Sequence, residues 1–209
     1  MKLELFFPTP VYSHKVENAQ KLNKHLFKKI KEWRRKSKGV KKTNRGGWHS
    51  TTDMHTREEF KPFVNELMQA QEAISKNEGY IYSMEIGNMW ANINYPGNYN
   101  VAHLHPNSNW SGAYYVKVPK DSGLLHLTDP RHGANMIAPK QFPIKQLHPR
   151  LWKQFTFTPS DGALIIFPSY VTHDVLLNES KKRGEAGWRV SISFNLIQIP
   201  FLHGEKADN

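Results

Sequence analysis

The stretch "NYNVAHLHPNSNWSGAYYV" (residues 98–116) sets His103 and His105 one residue apart, just ahead of a run of β-forming residues. In an extended segment, residues i and i+2 project from the same face. Two imidazoles side by side repel when charged and are costly to bury when neutral and unpaired. A shared metal ion removes both objections, because neutral imidazole is the commonest metal ligand. The plain alternative is one exposed histidine beside one that makes an ordinary hydrogen bond. The rest of the chain has to decide.

Around this stretch the texture is β-rich. The runs "YIYSMEIGNMWANINY", "SGAYYVKV", "GLLHLTD", "KQFTFTP", "GALIIFPS", "VTHDVLL" and "WRVSISFNLIQIP" are short and separated by Gly, Pro, Asn and Asp turns. Many short strands without helices between them predict an antiparallel sandwich or jelly roll. Residues 1–79 read differently. An extended segment over 3–16 leads to a helix over 17–36, with Asn18 as its cap and Leu22, Leu26, Ile30 and Trp33 on one stripe. A basic loop, "KSKGVKKTNRGG", precedes a second helix over 57–76, striped by Phe60, Phe63, Leu67, Ala70 and Ile74, with Pro62 in its first turn. The expectation is one domain over 1–209, mainly β with N-terminal helices: residues 1–79 supply the helices and basic loop, and 80–200 the jelly-roll core.

Composition narrows the chemistry. The chain has no cysteine, which excludes disulfides and thiolate sites and leaves His, Asp and Glu to hold any metal. No apolar run reaches the ~20 residues of a membrane span. The N-terminal "MKLELFFPTPVYSHKV" lacks the apolar core of a signal peptide. A soluble, cytoplasmic protein without membrane contact is expected. The net charge of +11 is local: residues 21–45 hold twelve Lys or Arg and one acid, Glu32, while the remainder balances. With Phe27 and Trp33 among the cations, this run suits a nucleic-acid or acidic-partner contact, or simply a solvated helix face and loop. It is expected to be separable from any pocket.

The second half completes the constellation. "PSDGALIIFPSYVTHDV" (159–175) brings His173, seventy residues beyond His103, so the two meet only through the fold. In "RVSISFN" (189–195), Arg189, Ser191, Ser193 and Asn195 alternate with Val190, Ile192 and Phe194, giving one polar and one apolar face. Facing solvent, this is an ordinary edge strand. Facing inward, an arginine among hydroxyls describes a carboxylate pocket, since guanidinium holds carboxylates through two charge-assisted hydrogen bonds.

The order His-x-His, paired tyrosines, Gly-x-Leu-Ile-Ile-Phe-Pro-Ser, a distal His and Arg-x-Ser resembles the Fe(II)/2-oxoglutarate-dependent oxygenases. The likeness is strongest to a bacterial and phage group that opens with an "FPTPV" segment, here residues 7–11, and carries a block matched by residues 103–115. The resemblance implies a double-stranded β-helix binding Fe(II) and 2-oxoglutarate, and hydroxylation of a substrate it does not name. His103 and His173 would be metal ligands. Arg189, assisted by Ser191 and a tyrosine, Tyr115 or failing it Tyr114, would bind 2-oxoglutarate. One departure stands out. The superfamily's second ligand is a carboxylate in His-x-Asp or His-x-Glu, and here it is His105. Either His105 ligates, giving a three-His site, or the frame shifts to His105 and Asn107, or the iron chemistry is lost; the first reading is adopted. A three-His cupin-like metalloprotein without 2-oxoglutarate and a nucleic-acid-binding protein acting through its basic segment are the rivals. His126 and Asp129, Asn92 and Asn94, and the loop "GGWHSTTDMH" (46–55) with Trp48, His49, Asp53 and His55 are weaker site candidates.

Overall fold

A computed structural model of the chain describes residues 1–136 and 148–198. Its strands are β1 (Tyr12–Lys15), β2 (Asn44–Arg45), β3 (Trp48–His49), β4 (Met84–Asn94), β5 (Tyr99–His103), β6 (Trp110–Lys117), β7 (Leu125–Thr128), β8 (Gln154–Phe157), β9 (Ala163–Pro168), β10 (His173–Val175) and β11 (Arg189–Gln198). They form two antiparallel sheets, a six-stranded one in the order β1-β9-β6-β11-β4-β3 and a five-stranded one in the order β2-β5-β10-β7-β8. Two helices, α1 (Ala19–Lys36) and α2 (Lys61–Glu78), pack on the larger sheet. The mainly β fold with N-terminal helices is what the sequence predicted. The last two residues of its predicted core, Ile199 and Pro200, lie outside the described residues.

The alternation along β11 sets the layering. Val190, Ile192, Phe194 and Leu196 face the helices and join Leu26, Ile30, Phe63 and Leu67 in the main core. Between the sheets lies a second apolar cluster, with Leu125, Leu127, Ile165, Phe167 and Val171 at its centre. Beside that cluster the same interior space turns polar. Among the described residues no helix is long and apolar enough to cross a membrane.

Four local expectations are corrected. Asn18 does not cap α1 with its side chain; it adopts a left-handed φ of 51°, which asparagine tolerates, and turns the chain from β1 into the helix. α2 starts at Lys61, with Glu58–Phe60 forming a 3-10 turn before it. Only Tyr12–Lys15 of the extended N-terminal segment forms a strand, on the edge of β9, and Leu3, Leu5, Phe6 and Phe7 are exposed. The basic loop is also more structured than a loop. Its end forms β2 on β5 and leads into β3 on β4. Gly46 and Gly47, with φ of 74° and 70°, make the turn that passes the chain from one sheet to the other.

Candidate active site

His103 and His173 are cross-strand partners on β5 and β10. One residue below them the register slips, so that β5 carries one residue more than β10 between the pairs His103–His173 and Asn100–Val175. This bulge lets Asn100 and His103, three residues apart, line the same cavity. Just beyond the end of β5 the His105 N–H donates to the Ser169 carbonyl at 3.1 Å, and His105 joins the same wall. The ligand nitrogens of His103, His105 and His173 lie within 4.8 Å of one another. Asn107, the frame-shift alternative, is exposed in the following turn at a φ of 64°.

Two of the rings are aimed by the main chain. His103 Nδ1 lies 2.8 Å from the Val101 carbonyl, and His173 Nδ1 lies 3.0 Å from the Val171 carbonyl. A carbonyl only accepts, so each Nδ1 carries the proton and each neutral ring presents a lone pair at Nε2. Burial pushes all three imidazoles below their ordinary range, His105 to about 4 and His173 to about 3, so they are neutral at pH 7. Trp90 leans on His105, and His49 stacks on Trp90 with ring centroids 5.5 Å apart. Among the described residues no carboxylate lines the cavity. The acid beside it, Asp174, acts on the charge of His103 but lies 3.6 Å from His126 across the neighbouring strand.

The polar face of β11 forms the opposite wall. Arg189 is 1% exposed. Its Nη1 donates to the Ser122 and Leu176 carbonyls, while its Nη2 is buried with no hydrogen-bond partner among the described residues. Burial lowers its pKa to about 10, which still leaves it charged at neutral pH. Gly123 makes room for this guanidinium: a Cβ there would sit 2.5 Å from Nη1 and against the Leu176 carbonyl, and the φ of 91° favours glycine independently. Ser191 and Tyr115 are register partners on β11 and β6 and both line the cavity. Tyr114 points the other way, into the helix layer, where its hydroxyl donates to Asn23 at 2.6 Å. Burial pushes the Tyr115 hydroxyl up to about 12, so it remains a donor.

The remaining candidates divide. Asn92 and Asn94 line the cavity; Asn92 Nδ2 donates to Ser193 at 3.1 Å and Asn94 Nδ2 to Asn100 at 3.1 Å. His126 is not among the lining residues, and Asp129 is bound to Arg131 at 2.8 Å. From the 46–55 loop, Trp48 packs on Trp33 and donates to the Ser37 carbonyl, Asp53 pairs with Arg57, and neither His49 nor His55 lines the cavity. Sequence reasoning missed Thr43, Asn100, Trp90 and Phe167 as wall residues. Trp90 carried a signal, since it shares strand parity with Asn92 and Asn94. Asn100 did not, because the bulge breaks parity.

Comparison with known proteins bears on the fold and the family. In solved structures the chain resembles a Pseudomonas putida prolyl-4-hydroxylase (TM-score 0.63, 16% identity, covering 91% of this chain and 94% of that one). It resembles the non-heme alpha ketoglutarate dependent epimerase SnoN from nogalamycin biosynthesis (TM-score 0.65, 9% identity, 96% and 85% covered). A third likeness is to the viral collagen prolyl hydroxylase of Paramecium Bursaria Chlorella virus-1 (TM-score 0.56, 14% identity, 88% and 95% covered). At these identities the likeness shows the fold, a double-stranded β-helix. No curated protein matches the chain in sequence. The family model described as "Putative 2OG-Fe(II) oxygenase" matches residues 88–195. Its two ends, Asn88 and Asn195, are cross-strand partners joined by a 2.8 Å side-chain hydrogen bond. The match takes in all three clustered histidines and Arg189 and spans just over half of the 209 residues, and on it the chain belongs to the 2OG-Fe(II) oxygenases, enzymes that use Fe(II) and 2-oxoglutarate.

Proposed function

We propose that the protein is a dioxygenase that hydroxylates a C–H bond of its substrate, with His103, His105 and His173 holding Fe(II) and Arg189, Ser191 and Tyr115 holding 2-oxoglutarate. The observation that carries this reading is Arg189. A buried charge without a partner is strongly unfavourable, and among the described residues the cavity wall that holds this guanidinium supplies no carboxylate to offset it. A dicarboxylate answers that need. One end pairs with Arg189 and the neighbouring hydroxyls of Ser191 and Tyr115, and the oxo-acid end is left for the metal. When bound, Fe(II) and 2-oxoglutarate supply the oxidation: O2 is consumed, 2-oxoglutarate becomes succinate and CO2, and one oxygen atom enters the substrate's C–H bond.

The chain's own share is placement. Three neutral imidazoles are ready to ligate without first losing protons, and the carbonyls of Val101 and Val171 fix two of them. Trp90, Leu125, Phe167 and Val175 give the cavity apolar walls that exclude water. The chain acts as one domain, since β2 and β3 from its N-terminal part complete one sheet each.

Calorimetry tests the reading. The metal-loaded protein should bind 2-oxoglutarate, and the absence of binding would promote the three-His cupin-like alternative, which has no use for Arg189. Anaerobic Fe(II) titration should show affinity losses of about tenfold or more in His103→Ala, His105→Ala and His173→Ala. Unchanged affinity in His105→Ala would remove that residue from the ligand set.

A further inference from the structure

We infer that the substrate is an acidic segment of a polypeptide, steered to the cavity by the basic loop between α1 and β3; this rests on the oxygenase reading only in taking the cavity for the active site. The fold divides the basic run by position. On the helix, Lys29 pairs with Glu32 at 3.1 Å, Lys31 with Glu185 at 2.8 Å, and Arg34 lies over the Tyr95 and Trp188 rings, while Lys21, Lys24, Lys28 and Arg35 are exposed on a surface that does not line the cavity. The cations from Lys36 to Arg45 instead flank Thr43, which lines it. Lys36, Lys38, Lys41, Lys42 and Arg45 are all exposed, and none forms an ion pair among the described residues. Concentrated charge of one sign attracts and orients an oppositely charged partner.

This loop borders the cavity. Thr43 lines it, and its hydroxyl accepts a hydrogen bond from Asn100, another wall residue, at 3.3 Å. The loop is also braced: the Lys42 N–H donates to Asn44 Oδ1 at 2.9 Å, and Asn44 Nδ2 to the Gly46 carbonyl at 3.0 Å. The main chain that carries Lys42 and Arg45 is therefore fixed on either side of Thr43.

Two features favour a polypeptide over a nucleic acid. Single-stranded nucleic acid is gripped largely by successive bases stacking on several aromatic faces, whereas residues 36–47 contain no aromatic residue and Tyr99, opposite Arg45 on β5, offers a single exposed ring. β2 is also an outer strand of its sheet, with no strand beyond it among the described residues, the position at which an extended chain adds alongside. Acidic side chains flanking the target residue would then meet the loop while the target enters the cavity.

Fluorescence anisotropy on the full chain tests this, using a labelled peptide of alternating Glu and Gly, a neutral Ser/Gly peptide, and an oligothymidylate of matched charge. The acidic peptide should bind in a salt-dependent way. Its affinity should fall about tenfold or more in the combined variant K38Q/K41Q/K42Q/R45Q and less than about twofold in the helix variant K21Q/K24Q/K28Q. A diazirine on the peptide should label residues 43–45 or 99–105. No binding, equal losses in the two variants, labelling confined to α1, or tighter binding of oligothymidylate would each overturn the inference, the last in favour of nucleic acid. Calorimetry of 2-oxoglutarate on the wild type keeps the two readings apart. Peptide failure with intact 2-oxoglutarate binding overturns the acidic-substrate inference alone, while loss of 2-oxoglutarate binding strikes the oxygenase reading.

Discussion

The two faces of β11 belong to one strand and do opposite work. Val190, Ile192, Phe194 and Leu196 lie in the main core beneath the helices, where their value is the apolar surface they remove from water. Arg189, Ser191 and Ser193 face the cavity, where Arg189 is a cost to the fold until an anion meets it. Stability and chemistry are thus separated by a single residue step. Substitutions on one face should move one property and spare the other.

The largest effect is expected on the apolar side. Phe194→Ala should destabilise the protein by about 3–5 kcal/mol in urea unfolding, while the fraction that remains folded binds Fe(II) and 2-oxoglutarate with wild-type affinity. A tenfold drop in that fraction's affinity would break the separation. The reverse is expected of Arg189→Met. Losing the charged fork should weaken 2-oxoglutarate by about 2–4 kcal/mol, roughly 30- to 1000-fold by calorimetry. Stability should change by about 1 kcal/mol or less, because an apolar stem replaces a lone buried cation. Equal binding to both proteins would leave the cosubstrate but misplace its anchor.

A third variant sharpens the contrast without touching the arginine. Gly123→Ala should weaken 2-oxoglutarate by about tenfold, near 1.4 kcal/mol, as the new methyl displaces Arg189. Gly97→Ala is its control: the φ there is 87°, but no atom lies within 4 Å of the added Cβ. Both variants carry the left-handed strain, and only the first should lose affinity. The smallest effect belongs to Ser193→Ala, which deletes the hydrogen bond from Asn92 and should shift either property by about 1 kcal/mol or less. A larger loss of 2-oxoglutarate there would enlist Asn92 and Ser193 in cosubstrate binding.

These contrasts also mark what a linear chain reveals. The period of two in residues 189–196 was legible, and so were the apolar stripes of both helices, because each follows a repeat that the backbone imposes. Which face of β11 lies inward was not legible; it depends on the second sheet closing over the polar side. Asn100 was hidden by the bulge in β5, and Thr43 by the folding of a loop-like sequence into β2. The basic run was legible as charge but not as position. That its second half borders the pocket was not legible, because pairing with β5 is a long-range contact that no local pattern announces. Gly123 drew no notice for the same reason, since the group it accommodates lies far along the chain.

The carbonyls that aim His103 and His173 have a consequence for mutation and inheritance. Every residue type at positions 101 and 171 supplies the same main-chain oxygen, so no single codon change at either place can delete the acceptor. A scan of side chains would pass over both positions and report them as unimportant to ring orientation. Only chemical surgery on the peptide bond, such as an amide-to-ester exchange between Val101 and Ala102, would weaken that oxygen and show its worth. The sequence around the ligands is therefore free to drift while the aim of the two imidazoles is transmitted unchanged.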